Sequence, residues 1–592
     1  MSLIVQKFGG TSVADCEKIQ AAARKAIRAQ QHGHQVVMVV SAMGKQTDQL
    51  VSLARQITDR PAAREMDMLL STGEQVSVAL MAMAIHSLGY KAVSLTGAQI
   101  GIRTDATHTK ARIRSISTER VQRLLDQGNI VIAAGFQGID ERLDITTLGR
   151  GGSDTTAVAL AAVMNADACE IYTDVDGVYT ADPRLLPEAR KVQRISYDEM
   201  LELASLGASV MHNRSIEFAK KYSVPIHVRS SFSDAPGSLI VAEPEWPDTP
   251  ACGAALTRDE ARVSVLGVPD RPGVSLHLFS SVAAHNIAVD MIVQNVSQQG
   301  HADISFTVPR DELGITLAAL QEALETLGAG HLSHDEQVSK VSVVGVGMAL
   351  QAGVAENMFA AMASEDINIQ MITTSEIKVS VLVERDAAQR ALRAAHRAFE
   401  LEKSPPLPPE GPLPRRATAD AAEVAARLQG VGMEDLVLDD IALDASQGRV
   451  TIEGVPDIPG VAARVFHEIA ANGIVVDMIV QGHHCHADDA SLSFTVPKEQ
   501  VAAARQVAER LAGEFSCTGV SSSPGIAKLS VSGVGLRSNT AVAIRTFRAL
   551  ADAGINVAMV NTSEVRVNVV VEGAEGARGL ESLREAFGDL LY

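Results

Sequence analysis

The amino-acid sequence predicts an α/β protein in two unlike halves: a mainly parallel sheet between helical layers, then a series of small α+β modules. Three observations carry this reading. Short apolar runs of strand length alternate with helical stretches through the first 245 residues, as crossover-connected parallel strands require. A glycine-rich turn, Thr147-Leu148-Gly149-Arg150-Gly151-Gly152-Ser153-Asp154-Thr155-Thr156, runs into an unbroken small-apolar stretch over residues 157–164, read as a buried helix. The rest of the chain repeats itself, and a fixed period means stacked units.

The totals bound the function. At 592 residues the chain exceeds one hydrophobic core, so three or more domains are expected. A net charge of −19 and 3% aromatic residues argue against nucleic-acid and membrane-surface partners. Five scattered cysteines suit reduced thiols better than a disulfide framework. The N-terminus has no signal-peptide pattern, and no apolar run of transmembrane length is expected. The reading is a soluble, cytoplasmic protein.

Residues 3–5 form the first strand, ending in Lys7-Phe8-Gly9-Gly10-Thr11-Ser12, with a helix over 15–30. Backbone N–H groups of such a turn cradle phosphate oxygens, and a lysine neutralises their charge. A second strand, 36–40, delivers Ser41 and Thr47 to its carboxyl end, where parallel sheets place ligands. Ser71-Thr72-Gly73-Glu74 opens a helix over 75–88. Glu74 in its first turn serves either the helix dipole or a substrate amine. Further strands are expected at 92–95, 130–134 and 169–172, the last ending in a turn-rich acidic loop from Thr173 to Arg184. In the glycine turn, Ser153 and Asp154 offer N-cap side chains. The helix start presents N–H groups to an anion, and Arg150 adds a planar donor fork. A strand at 238–241 and a linker over 243–250 close this unit.

In the second half, Val341-Ser342-Val343-Val344-Gly345-Val346-Gly347 recurs 188 residues on as Leu529-Ser530-Val531-Ser532-Gly533-Val534-Gly535. Val268-Pro269-Asp270-Arg271-Pro272-Gly273-Val274 recurs as Val455-Pro456-Asp457-Ile458-Pro459-Gly460-Val461, and the stretch from Asn368 to Glu376 as that from Asn556 to Glu564. A pair of modules is therefore duplicated, giving four, each of βαββαβ-like order. The units are expected at 1–245, 260–335, 338–402, 430–516 and 526–592, with a stiff proline-rich spacer over 403–425.

The three motifs of the first half, Lys7-Phe8-Gly9-Gly10-Thr11-Ser12, Gly149-Arg150-Gly151-Gly152-Ser153-Asp154-Thr155 and Tyr172-Thr173-Asp174-Val175-Asp176-Gly177-Val178-Tyr179, closely resemble those of aspartate kinases, in the same order. The resemblance implies the amino-acid-kinase αβα sandwich and phosphorylation of the side-chain carboxylate of L-aspartate by ATP with Mg2+. It implies that Lys7, Arg150 and Asp154 are catalytic and that Lys7 stabilises the transferring phosphoryl group. Phe8, Gly9, Gly10, Thr173, Asp174, Tyr179, Asp182 and Arg184 would then hold ATP. Arg150 would clamp the aspartate α-carboxylate, Glu74 and Asp154 its amine, with Ser41, Thr47, Gly151, Gly152 and Ser153 around it. No resident metal is implied.

The later modules resemble ACT domains, ferredoxin-like amino-acid sensors that bind effectors between two modules. By that likeness Asp270, Gly273, Val274 and Gln294 face Asn368 and Ile369, and the duplicate offers Asp457, Gly460, Val461, Gln481, Asn556 and Val557. Feedback inhibition by lysine, threonine or both is implied, with a homodimer built through module edge strands. His483-His484-Cys485-His486 has zinc-ligand types but falls where the duplication slips, and is read as a loop tip. Two alternatives stand: a kinase of this fold for another acid or amino acid, and a catalytically silent amino-acid-binding regulator. Intact Lys7, Arg150, Asp154 and Arg184 speak against the second.

Overall fold

Short strands of three to six residues build the first sheet. It is seen in a computed structural model that describes residues 2–207, 210–244, 249–296, 300–351, 353–404, 432–483, 489–534, 536 and 541–590. Its strands are β1 (Leu3–Phe8), β2 (Gln35–Val40), β3 (Ala92–Leu95), β4 (Ile130–Ala134), β5 (Ala168–Thr173), β6 (Arg194–Ser196), β7 (Ile226–Ser230) and β8 (Ser238–Val241). Their order across the sheet is β6-β8-β7-β5-β1-β2-β4-β3. Six strands are parallel, while β8 runs antiparallel to β7 and carries β6 with it. β1, β2 and β4 are buried nearly throughout, as expected of strands covered on both faces. One layer includes the expected small-apolar helix, Gly152–Val163, with Gly152 to Ala162 all buried. The other includes Cys16–Gln31, capped by the Asp15 side chain accepting from the Lys18 N–H at 2.9 Å.

Two expectations about helices change. The helix placed at 75–88 runs from Ala63 to Ser87, so Glu74 lies in its middle and the dipole reading of Glu74 is withdrawn. By length and mean hydropathy this helix reaches membrane-span dimensions, contrary to the expectation that no such run exists. Half of its most apolar window is buried in the domain, including Leu70, Val78, Met81 and Ile85, which is what a core helix looks like.

The second half forms ferredoxin-like units whose strands cross the boundaries expected from the repeat. The long strand Gly253–Pro269 pairs through residues 253–257 with 340–344, and through 262–266 with 331–335. The second module thus takes an edge strand, residues 253–257, from ahead of the first. The second pair repeats this: Val437–Asp444 joins Ile526–Val534, and Gly519–Ser523 joins Gln447–Pro456.

The pairs also join each other. Met371–Ser375 of the second module pairs with Ile479–His483 of the third, and one sheet of ten strands results. The edge pairing expected between two copies is therefore made inside one chain, where tethering gives the duplicate a high effective concentration. The proline-rich spacer, apart from residues 403–404, and residues 484–488 of the His/Cys loop lie outside the described residues, as do 245–248 of the linker.

Candidate active site and regulatory pockets

Lys7 is the penultimate residue of β1 and lies opposite Val39 of β2 and Ile171 of β5. The carboxyl ends of three neighbouring parallel strands thus meet around its side chain. Lys7 is 9% exposed, and its Nζ lies 2.5 Å from Asp154 Oδ1. The turn after β1 packs against the turn after β2. Gly44 N–H donates to Gly10 O at 3.0 Å, and Ser41 N–H to Phe8 O at 3.1 Å. A Cβ on Gly10 would stand 2.9 Å from Ala42 O, so the close approach of the two backbones requires glycine there.

Across the sheet, Gly149 and Gly151 take φ of 77° and 69°, and Gly151 caps the helix Gly152–Val163 without a side-chain hydrogen bond. The N-cap role expected of Ser153 and Asp154 is therefore not realised. Both lie in the first helical turn, which frees Asp154 to meet Lys7.

Glu74 is 4% exposed. One carboxylate oxygen accepts from Ala42 N–H at 3.1 Å, and the other is buried without a hydrogen-bond partner among the described residues. Burial raises its pKa from the ordinary carboxylate range to about 7, because the charged form loses hydration. Ser41 lies just past β2, and Thr47 in the first turn of the helix Gln46–Ile57.

Arg150 is exposed and lines a cavity of about 580 Å³ with Asp48, Val51, Ser52, Arg55 and Gln56 of that helix. Arg55 was not singled out from the sequence. Its signal was the 48, 51, 52, 55 spacing, one helical stripe aimed at the glycine turn. Two guanidinium groups at one cavity favour an anion. On the role that the resemblance to aspartate kinases implies for it, Arg150→Lys is expected to raise the KM for aspartate at least tenfold and that for ATP less than twofold. Equal rises in steady-state assays would remove the carboxylate assignment.

Thr173, Asp174, Tyr179, Asp182 and Arg184 all line one cavity of about 750 Å³, a size suited to a cofactor-sized ligand. Tyr179 donates to Asp176 at 2.8 Å. Arg184 is mostly exposed and folds back on Asp182 at 2.6 Å. The opposite wall comes from Ala254, Ala255, Leu256 and Leu392, which belong to the second half of the chain.

The expected effector residues also meet, but in crossed pairs. Asn368 donates to Asp457 at 2.9 Å, and Gln481 to Ile369 O at 3.1 Å. Asn556 donates to Asp270 at 2.7 Å, and Gln294 to Val557 O at 2.7 Å. The Asp270 set therefore faces Asn556 and Val557 of the fourth module, not Asn368 and Ile369. The first module packs on the fourth and the second on the third. Gly273 and Gly460, at φ of 92° and 90°, cap the helices that begin at Val274 and Val461, so each pocket has a helix start at its rim.

Both pockets connect to the first domain at one buried carboxylate. Glu202 meets Lys378 of the second module at 2.9 Å and accepts from Glu564 N–H of the fourth at 2.9 Å. Sequence spacing gave no sign of this contact.

The amino acid kinase family matches residues 2–230, and the ACT domain matches residues 263–324, 341–399, 450–510 and 529–587. An aspartate kinase of Stutzerimonas stutzeri is 52% identical over 404 residues, which span 68% of this chain and 98% of that protein. The crystal structure of aspartate kinase from Synechocystis is 41% identical, with a TM-score of 0.52, over 99% of this chain and 98% of that one. E. coli aspartokinase III, solved in complex with aspartate and ADP, is 25% identical, with a TM-score of 0.57, over 67% and 99%.

Proposed function

The chain belongs to the aspartate kinase family, and we propose that in it Lys7, steered by Asp154, stabilises the phosphoryl group as it passes from ATP to the side-chain carboxylate of L-aspartate. The enzyme is an ATP-dependent phosphotransferase with a carboxylate acceptor. The single observation behind the division of roles is the Lys7–Asp154 pair, 2.5 Å apart at the mouth of the glycine turn. A largely desolvated ammonium beside developing phosphate charge supplies the kind of preorganised stabilisation that carries most phosphoryl transfer. Asp154 acts mainly on Lys7. The amine of aspartate then falls to the second oxygen of Glu74, and the α-carboxylate to Arg150 with Arg55.

ATP fits the cavity between the Thr173–Arg184 loop and the regulatory wall. Mg2+ fits it as a phosphate-bound ion, since the lining supplies hard carboxylate oxygens from Asp174 and Asp182 and no His or Cys donor among the described residues. When bound, it neutralises phosphate charge. The reading is tested by ADP release that requires both L-aspartate and MgATP. Release with glutamate at equal efficiency, or none with aspartate, overturns it.

The regulatory part of the proposal is that lysine, threonine or both bind at the Asp457–Asn368 and Asp270–Asn556 pockets and inhibit. The support is that each pocket offers a carboxylate for an amine, and a helix start for a carboxylate. Each pocket also connects through its own hairpin to Glu202. Asn368→Ala is expected to weaken inhibition by one effector at least fivefold while the other keeps its potency, and Asn556→Ala the reverse. Coupling is reciprocal, so calorimetry with aspartate and ATP present should show weaker effector binding. Loss of both responses from either single variant would refute the separation of the pockets.

The same family likeness supports a place at the first step toward lysine, threonine and methionine, in the cytoplasm. It also supports a homodimer, with the contact now expected away from the strands 371–375 and 479–483 that pair with each other.

A further inference from the structure

Arg214 occupies an unusual position between the two halves. It sits in the first turn of the helix Asn213–Lys221, just after His212, whose side chain lies against Gly151. Its guanidinium donates to three acceptors: Leu148 O at 2.5 Å, Ala111 O at 2.6 Å and the Glu434 carboxylate at 2.6 Å. Leu148 immediately precedes the turn that carries Arg150. Its N–H is fastened to Phe136 O at 2.9 Å, and its carbonyl is held by Arg214. The turn itself is closed by Gly152 N–H donating to Gly149 O at 3.0 Å, and Arg214 adds a side-chain anchor on the carbonyl that enters it.

Glu434 comes from the other end of the molecule, in the short segment that leads into the strand Val437–Asp444. Its side chain is 7% exposed and that of Arg214 is 18% exposed. Its second oxygen accepts from Ile113 N–H at 2.9 Å. The segment is anchored further by Met433 O, which accepts from Tyr222 and Lys221 at 2.9 and 3.1 Å. Asp435 pairs with Arg114 at 2.6 Å. Glu434 is the only carboxylate paired with Arg214 among the described residues.

We infer that Glu434 is a positioning residue for aspartate binding: it holds the Arg214 guanidinium under Leu148 and so fixes the turn that presents Arg150. This rests on the reading that the Gly149–Asp154 turn takes aspartate. Through it the duplicated regulatory pair has its own hold on the substrate turn, separate from the contact at Glu202. A buried guanidinium stripped of its counter-charge is costly, and Arg214 would leave the two carbonyls for solvent.

The test uses the full-length enzyme. Glu434→Ala should raise the KM for aspartate about tenfold, leave that for ATP within twofold, and lower the melting temperature. Arg214→Met combined with Glu434→Leu removes both charges and should recover the melting temperature, yet aspartate KM stays high because Leu148 O still lacks its donor. Asp435→Asn, which removes the charge paired with Arg114 while an amide oxygen can still accept from Gly432 N–H, should leave both KM values unchanged. An unchanged aspartate KM in Glu434→Ala overturns the inference, as does a normal aspartate KM in the double variant. An equal rise from Asp435→Asn also overturns it, since general docking of the segment would then be the cause. Arg150→Lys assayed alongside separates the two claims. A selective aspartate effect there without one at Glu434 refutes this inference alone, and the converse refutes only the assignment of Arg150.

Discussion

Lys7→Ala is expected to lower kcat by roughly 10²–10³-fold, the usual cost of removing one preorganised donor from a site of charge development. The KM for aspartate should change little. The reasoning lies in the environment of the ammonium group. It is held at 2.5 Å by Asp154 at the end of a buried strand, so its position is fixed before any ligand arrives. A solvated lysine would have to reorganise water as charge moves, and this one does not. Lys7→Arg should recover little, because a longer, delocalised guanidinium cannot place its charge at the compact point beside Asp154 that the ammonium occupies. Asp154→Asn should lower kcat as well, but less, since it loosens Lys7 without removing its charge. Single-turnover measurements with saturating aspartate would decide. A kcat unchanged in Lys7→Ala would take the lysine out of the chemistry.

The second large effect concerns Glu74, where function and stability should move in opposite directions. Its folded-state pKa is about 7, against an ordinary value of 4.5. Between these values the folded chain binds the proton more tightly than the unfolded chain. Stability from this group is therefore fully present below about pH 4.5 and is lost as pH rises through 7. At pH 8 the buried carboxylate is charged and costs the fold up to a few kcal/mol. Glu74→Gln keeps an acceptor for Ala42 N–H and removes the charge. The variant should melt higher than wild type at pH 8 and equal to it near pH 5, while its KM for aspartate rises at least a hundredfold. In wild type the same KM should climb as pH falls below 7, because the neutral acid no longer pairs with an ammonium. The variant should show no such slope. A lower melting temperature at pH 8 would mean that Glu74 is a structural anchor, not a retained charge.

What the sequence revealed and what it hid follow from range. Buried strands such as 130–134 and 36–40 are continuous apolar runs, and their ends are local facts. Thr173, Asp174, Tyr179, Asp182 and Arg184 could be grouped from the sequence because they lie on one loop, and that loop lines one cavity. Glu74 was misplaced because its helix begins at Ala63 behind Ala62, a cap with no side-chain hydrogen bond, while Ser71-Thr72-Gly73 resembled a start. The strands 102–104, 113–116, 137–139 and 145–147, which form a small separate sheet, are too short to show a period. Arg55 lies on the helix Gln46–Ile57, whose polar stripe reads in sequence as an ordinary solvent-facing surface. The residues proposed to hold effectors meet in pairings other than those expected. A repeat says which segments are alike, and it carries no information on which neighbour each will pack against.

That crossed packing has a consequence for how the enzyme can change. When two identical chains meet symmetrically, every substitution appears on both sides of the axis. Any change at one sensing pocket is then copied into its mate. Here Asp270 with Asn556 and Asp457 with Asn368 are four separate codons in one reading frame. Each pocket can drift, lose its ligand or acquire a new one while the other stays under selection. Duplication has in effect turned one repeated surface into two independently inheritable ones.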